Sequence, residues 1–217
     1  MKKVFVVLMV AALATVSQAE VITSFENIDF DSGDVTSAGF VGFDAPWTTE
    51  IIGWTNYRDG VAGPLNDAGV EAAGVGWWVG DGPHQNAAFM SSGDAAYTMS
   101  SYIIESDDVF KIEYIGGHWD WTGAGEWTAT LFYDDPANVI GSYVQGMSSW
   151  FPDQVWYSDA TGIAATPESV GGTLGILMTS SGTGISQFDE LTVNVVPEPA
   201  TMVLLGLGAL VLRRKRK

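Results

Sequence analysis

The chain contains no cysteine, which excludes disulfides, thiol catalysis and Cys-ligated metal sites. It is also poor in positive charge. Of its nine Lys and Arg, seven lie in the two end segments, leaving only Arg58 and Lys111 in the body. All 26 carboxylates lie between Glu20 and Glu198, so that region carries a net charge of about −24. A field of this sign repels anionic lipid, favours solubility and rules out nucleic-acid binding. Histidine occurs only at His84 and His118, without metal-ligand spacing. The chain has no Gly-x-Ser-x-Gly elbow, phosphate loop or dinucleotide fingerprint. Carboxylates are abundant, but no pair stands out as a glycosidic acid and base, so no catalytic residue is expected and the chain reads as a non-enzyme.

What is present begins with the two ends. Met1-Lys2-Lys3, an apolar run from Val4 to Val16, and Ser17-Gln18-Ala19 before Glu20 have the layout of a secretory signal peptide cut after Ala19. At the other end Pro197-Glu198-Pro199 precedes a short apolar run, Met202 to Leu212, and then Arg213-Arg214-Lys215-Arg216-Lys217. The uncharged stretch from Ala200 spans about 20 Å as a helix, short of the roughly 20 residues a comfortable crossing needs. It predicts a marginal anchor whose cations stay on the cytoplasmic side. The partition is therefore a signal peptide at 1–19, a body at 20–196 and a sorting tail at 197–217.

The three-part tail closely resembles the PEP-CTERM sorting signal. That resemblance implies recognition and cutting by exosortase, a membrane protease, near Pro197, Glu198 and Pro199. It implies a transient inner-membrane stage held by the C-terminal helix, then the cell surface or extracellular matrix. It also implies an association with exopolysaccharide.

Between the ends, short runs of Val, Ile, Thr, Tyr, Phe and Trp alternate with Gly, Asp, Asn, Pro and Ser clusters, the pattern of strands and turns. Strands are predicted at 21–27, 37–43, 48–54, 74–80, 86–90, 95–103, 109–116, 126–134, 138–145, 155–158, 172–179 and 185–195. Trp127, Ala129, Leu131 and Tyr133 fall on one face of their strand, and Thr128, Thr130 and Phe132 on the other. Asp134-Asp135-Pro136-Ala137-Asn138 then predicts a hairpin with a longer loop. Phe110, Ile112 and Tyr114 likewise oppose Val109, Lys111 and Glu113. One half-buried face per strand predicts an all-β body, an antiparallel β-sandwich forming one domain, with helix confined to the signal peptide and the short C-terminal segment.

The body opens with Ser24-Phe25-Glu26-Asn27, passes Trp47 and Gly53-Trp54, and closes on Phe188-Asp189-Glu190-Leu191-Thr192-Val193. In that order these segments resemble the galactose-binding-like jelly rolls, which include many carbohydrate-binding modules. Thr23-Ser24 stands where that family has Asn-Gly. The resemblance implies a structural Ca²⁺ joining the first and last strands through Glu26 and Asp189. Their alternative role is as two solvated carboxylates at strand ends.

Nine tryptophans invite a second reading. Sugar C–H faces stack on indole while hydroxyls seek Asp, Asn, Gln or His. Trp77-Trp78 and His118-Trp119-Asp120-Trp121, the latter expected in one Gly-flanked loop, are the candidate ligand-binding residues. Core packing is the competing use of each ring. The leading expectation is a surface or matrix protein that binds extracellular polysaccharide without catalysis. Its alternatives are a purely structural acidic envelope protein, or a glycan-active hydrolase or lyase on the same fold.

Overall fold

The computed structural model describes residues 19–32, 47–48, 51–58, 61–62, 69–72, 86–119, 125–147, 155–158, 161–182 and 184–197. The expected signal peptide up to Gln18, Glu198 and Pro199 with the rest of the tail, and the predicted strands at 37–43 and 74–80 lie outside the described residues. The strands are β1 (Glu20–Val21), β2 (Trp47–Thr48), β3 (Thr55–Arg58), β4 (Val61–Ala62), β5 (Gly69–Ala72), β6 (Asn86–Ser91) and β7 (Ala95–Ile103). They continue with β8 (Asp108–Trp119), β9 (Gly125–Tyr133), β10 (Asp135–Met147), β11 (Val155–Ser158), β12 (Ile163–Ala164), β13 (Thr173–Gly182) and β14 (Ile185–Pro197). No helix occurs among the described residues, and so none there is long and apolar enough to cross a membrane.

Two antiparallel sheets face each other. The first has the order β11-β8-β14-β6-β5-β2, with β1 added to β14 and β12 to β8; the second has the order β10-β9-β13-β7-β3-β4. The central neighbours in these sheets are far apart in sequence, as in a jelly roll: β14 lies between β8 and β6, and β13 between β9 and β7. The core between the sheets comes from the apolar set of each alternation. Phe110, Ile112 and Tyr114 of β8 and Phe188 and Val193 of β14 meet Trp127, Ala129 and Leu131 of β9 and Ile176 and Met178 of β13. Full burial of each large apolar side chain stabilises the fold by about 1.5–3 kcal/mol. The Trp127 ring lies 4.0 Å from that of Tyr114 and 5.0 Å from that of Phe188, centroid to centroid.

Strands β6 to β11, β13 and β14 fall close to their predicted positions and β12 has no predicted counterpart, whereas two expectations near turns need correction. The predicted strand 21–27 ends at Val21, because Asn27 and Phe30 take left-handed backbone conformations, φ 49° and 59°. Asn27 earns that conformation by its bonds. Its Nδ2 donates to the Ile52 carbonyl (2.9 Å), its Oδ1 accepts from the Ser32 amide (2.8 Å), and its carbonyl accepts from Trp54 Nε1 (3.1 Å). An amide side chain bonding its local backbone is what makes Asn tolerate this region. The turn sends Phe30 inward, 5.1 Å from Phe188 and 5.4 Å from Trp54. Of the predicted strand 48–54, Thr48 lies in β2 and Ile51–Trp54 form a turn instead, where Gly53 has φ 80°. The expected hairpin with a longer loop follows Tyr133: Asp134 takes φ 59°, irregularities lie between Asp135 and Gly141, and the pairing continues from Val139 opposite Phe132.

Candidate functional site

In a sandwich the outward face of each sheet meets solvent and is usually polar. The outward face of the second sheet departs from that rule. Register places Thr55, Tyr97, Leu177, Thr130 and Ser142 in one row across β3, β7, β13, β9 and β10. Beside it runs a row of Met99, Gly175 and Phe132, and on its other side one of Ala95, Thr179, Thr128 and Val144. Ala95, Phe132 and Leu177 form a second apolar cluster with Tyr57, Tyr97 and Met99 packed on it, separate from the main core. The three rings step edge to face: Tyr57 to Tyr97 at 5.6 Å and Tyr97 to Phe132 at 5.7 Å.

The face grades from closed to open. Phe132 is fully buried, Tyr57, Tyr97, Met99, Thr128 and Thr179 are half-buried, and Thr55, Ser142 and Val144 are exposed. The Thr130 and Ser142 hydroxyls bond each other at 2.8 Å. Gly175 makes the Phe132 position feasible, since a side chain there would collide with the ring. None of the residues in the three rows is charged, although the protein carries −17 overall. Chemically the face offers aromatic edges, apolar steps and hydroxyls in regular rows.

The residues singled out in the sequence are distributed elsewhere. His118 and Trp119 do not lie in a loop: they end β8, opposite Ser186 and Ile185 of β14. The Gly116-Gly117 pair that suggested a loop is itself paired, with Phe188 and Gln187, so the glycines sit inside a sheet. Trp77, Trp78, Asp120 and Trp121 lie outside the described residues. The two tryptophans whose side chains are described, Trp54 and Trp127, are both core. Pro197, first residue of the sorting motif, is the last of β14.

Glu26 is exposed and its side chain covers Gly53. Asp189 is 4 % exposed, in the irregular stretch of β14 before Thr192, where its Oδ1 accepts the Glu190 amide at 2.7 Å. Glu190 there has φ 50°. Among the described residues no group of three or more His, Asp or Glu side chains is gathered to hold a metal. The first and last strands are paired through their backbones, Glu20 opposite Val195 and Val21 opposite Asn194.

Near that end Asp108 accepts bonds from the Tyr102 hydroxyl (2.9 Å) and the Glu105 amide (2.7 Å). Partial burial first, and then the Asp108 carboxylate, push the Tyr102 phenol above its usual value. A cavity of about 210 Å³ opens beside it, lined by Glu20–Ser24, Tyr102 and Val195.

Residues 195–217 match the PEP-CTERM protein-sorting motif. No match is found among curated proteins. The fold is similar to a Stig cyclase, Fisc, from Fischerella sp. TAU, solved with an indole compound: TM-score 0.60, 16% identity, 83% of this chain and 99% of that one. An apo-form cyclase from Fischerella sp. gives TM-score 0.58 at 16% identity, over 82% and 97% of the two chains. The carbohydrate-binding module TmCBM61, solved with β-1,4-galactotriose, gives TM-score 0.48 at 11% identity, over 78% and 96%. At these identities the likeness establishes the jelly-roll sandwich and nothing about chemistry.

Proposed function

We propose that this exported, PEP-CTERM-sorted protein is a non-catalytic surface or matrix module that binds a neutral polysaccharide on the outward face of its second sheet. The observation that carries the reading is the edge-to-face series Tyr57, Tyr97 and Phe132 within hydroxyl-bearing rows that hold no charged residue. Sugar C–H faces pack on such rings, and Thr55, Thr128 and Ser142 supply hydroxyls for hydrogen bonds. The three rows hold no charge, and the nearest charge on the face is the exposed carboxylate of Glu126, one row beyond Thr128, which sets the ligand class. A polyanion would meet the repulsion of Glu126 and of the whole acidic body with no cation in the three rows to offset it. Exosortase acts on the tail, and the inner membrane is a transient station reached through the apolar run Met202 to Leu212.

The experiment is affinity electrophoresis of the body, residues 20–197, in gels cast with neutral or with anionic polysaccharide. Retardation by a neutral glycan, lost in Tyr97→Ala and weakened in Tyr57→Ala, is the expected outcome. The full burial of Phe132 favours a second reading, in which this face is only a packing surface of a structural envelope protein. Under that reading no glycan retards the protein, and the Tyr97 substitution changes stability alone.

A further inference from the structure

The chain has no cysteine, so all of its sulfur is in methionine, and the body holds Met90, Met99, Met147 and Met178. Met90 and Met178 are fully buried in the main core. Met99 is half-buried on the outward face of the second sheet, where it packs on Ala95, Phe132 and Leu177 together with Tyr57 and Tyr97. Gly175 sets its seat. A β-carbon on that glycine would lie 2.7 Å from Met99 Sδ and 2.2 and 2.4 Å from Cζ and Cε2 of Phe132, so the sulfur and the ring edge converge over one residue. A thioether at the edge of an aromatic ring is a favourable contact. Tyr97, two residues before Met99 on the same face of β7, meets the same Phe132 ring edge to face at 5.7 Å. Sulfur and phenol thus share one support.

We propose that Met99 is an oxidation site that controls the aromatic face, with hydrogen peroxide as the oxidant. Its control of binding rests on the reading of this face as a polysaccharide surface. In the step, a sulfur lone pair attacks one peroxide oxygen and the O–O bond breaks. That oxygen stays on sulfur, and its proton passes to the other oxygen, which leaves as water. The sulfide is oxidised by two electrons and the peroxide is reduced by two.

Oxidation turns an apolar thioether into a polar sulfoxide, which disrupts apolar clusters. Around Met99 the neighbours are methyl groups and ring edges, so the oxidised side chain turns to water and its contact with Phe132 is lost. The ring on which Tyr97 packs is then free to shift. Sulfoxide formation adds no charge, so binding of a neutral polysaccharide falls through the lost shape of the face. Among the methionines whose side chains are described, the accessible one is the one beside the rings.

The test treats the exported protein with hydrogen peroxide and follows the oxidised peptides by mass and the rings by near-ultraviolet circular dichroism. Binding is read as retardation in gels cast with hydroxyethyl-cellulose, galactomannan or xyloglucan, all neutral. The expected result is an added oxygen on Met99 ahead of Met90 and Met178, a changed ring signal and retardation weakened at least several-fold. Ring signal and retardation should return when the two methionine sulfoxide reductases, one for each epimer, act on the oxidised protein. Met99→Leu conserves volume and should keep both through the treatment. That variant also separates Met99 from Met147, whose side chain lies outside the described residues. Oxidation of Met90 or Met178 as fast as Met99, an unchanged ring signal or undiminished retardation in the Met99 sulfoxide, or equal losses in Met99→Leu overturns the proposal. If none of the three polysaccharides retards the untreated protein, the binding reading fails instead, and the mass map and ring signal still decide the role of Met99.

Discussion

A β-carbon on Gly175 would lie 2.2 Å from Cζ of Phe132, so the ring of β9 occupies the space a side chain of β13 would need. Met99 Sδ would be 2.7 Å from the same β-carbon. Gly175→Ala must displace both. Overpacking of this kind costs about 1–3 kcal/mol, to be read as a lowered midpoint in urea unfolding. Glycan binding should weaken as well, since the displaced Phe132 carries Tyr97 with it. An unchanged midpoint would show that the face is looser than described.

Trp127 gives a second prediction. Its ring is wholly buried, and its Nε1 has no hydrogen-bond partner. A buried donor left unpaired costs about 1–3 kcal/mol, and Trp127→Phe removes that cost while leaving a smaller cavity. The two effects oppose each other, so Trp127→Phe should change stability by less than about 1.5 kcal/mol, whereas Trp127→Ala should lose about 3–5 kcal/mol. A similar large loss in both variants would mean that Nε1 is bonded in solution, for instance to a buried water.

Much of this architecture was legible because alternation is local. The two faces of β9 and the core face of β8 can be read from consecutive residues, and the structure reproduces them. The aromatic face was not legible, although Phe132 was correctly placed opposite Trp127. Tyr57, Tyr97 and Phe132 come from three strands, and they meet only because β13 and β7 lie between β9 and β3. Strand order depends on long-range pairing that no window of sequence contains. Tyr97 and Met99, alternating with Ala96 and Thr98 on β7, were the available signal. The opposite error arose at Gly116-Gly117, where local composition suggested a loop and cross-strand pairing with β14 made a strand. Glycine inside a strand is a weak local cue that tertiary pairing can override.

Tyr102 supplies a pH test. Its phenol is raised above the ordinary value of 10.0 in the folded state, chiefly by burial and then by its bond to Asp108. The unfolded chain therefore loses this proton at lower pH than the folded chain does. The stability contributed by Tyr102 is complete below about pH 10 and is lost as pH rises through the folded value. Wild type should lose more stability than Tyr102→Phe between pH 9 and 11, measured as the difference in melting temperature. Parallel losses in the two proteins would place the cause in the other tyrosines and in general charge repulsion.

The sorting tail yields a prediction independent of the sandwich. Replacing Glu198 with Ala, or deleting Arg213–Lys217, should leave the protein exported but unprocessed in the inner membrane. Fractionated cells should show the longer form in the membrane and the mature form depleted. Normal maturation of the tail-deleted protein would contradict the role assigned to residues 195–217.

The central claim is that the aromatic face binds a neutral polysaccharide, and calorimetric titration of residues 20–197 tests it most directly. The titration should use the neutral glycan that retards the protein most, with Tyr57→Ala and Tyr97→Ala alongside. Both tyrosines are half-buried on the outward face and lie outside the main core, so each variant should remain folded. Loss of a stacking ring is worth about 0.5–1.5 kcal/mol beyond its buried area, so affinity should fall at least several-fold in each variant while the melting transition stays cooperative. Undiminished binding in both folded variants, or no binding of any neutral glycan by the wild type, would contradict the account.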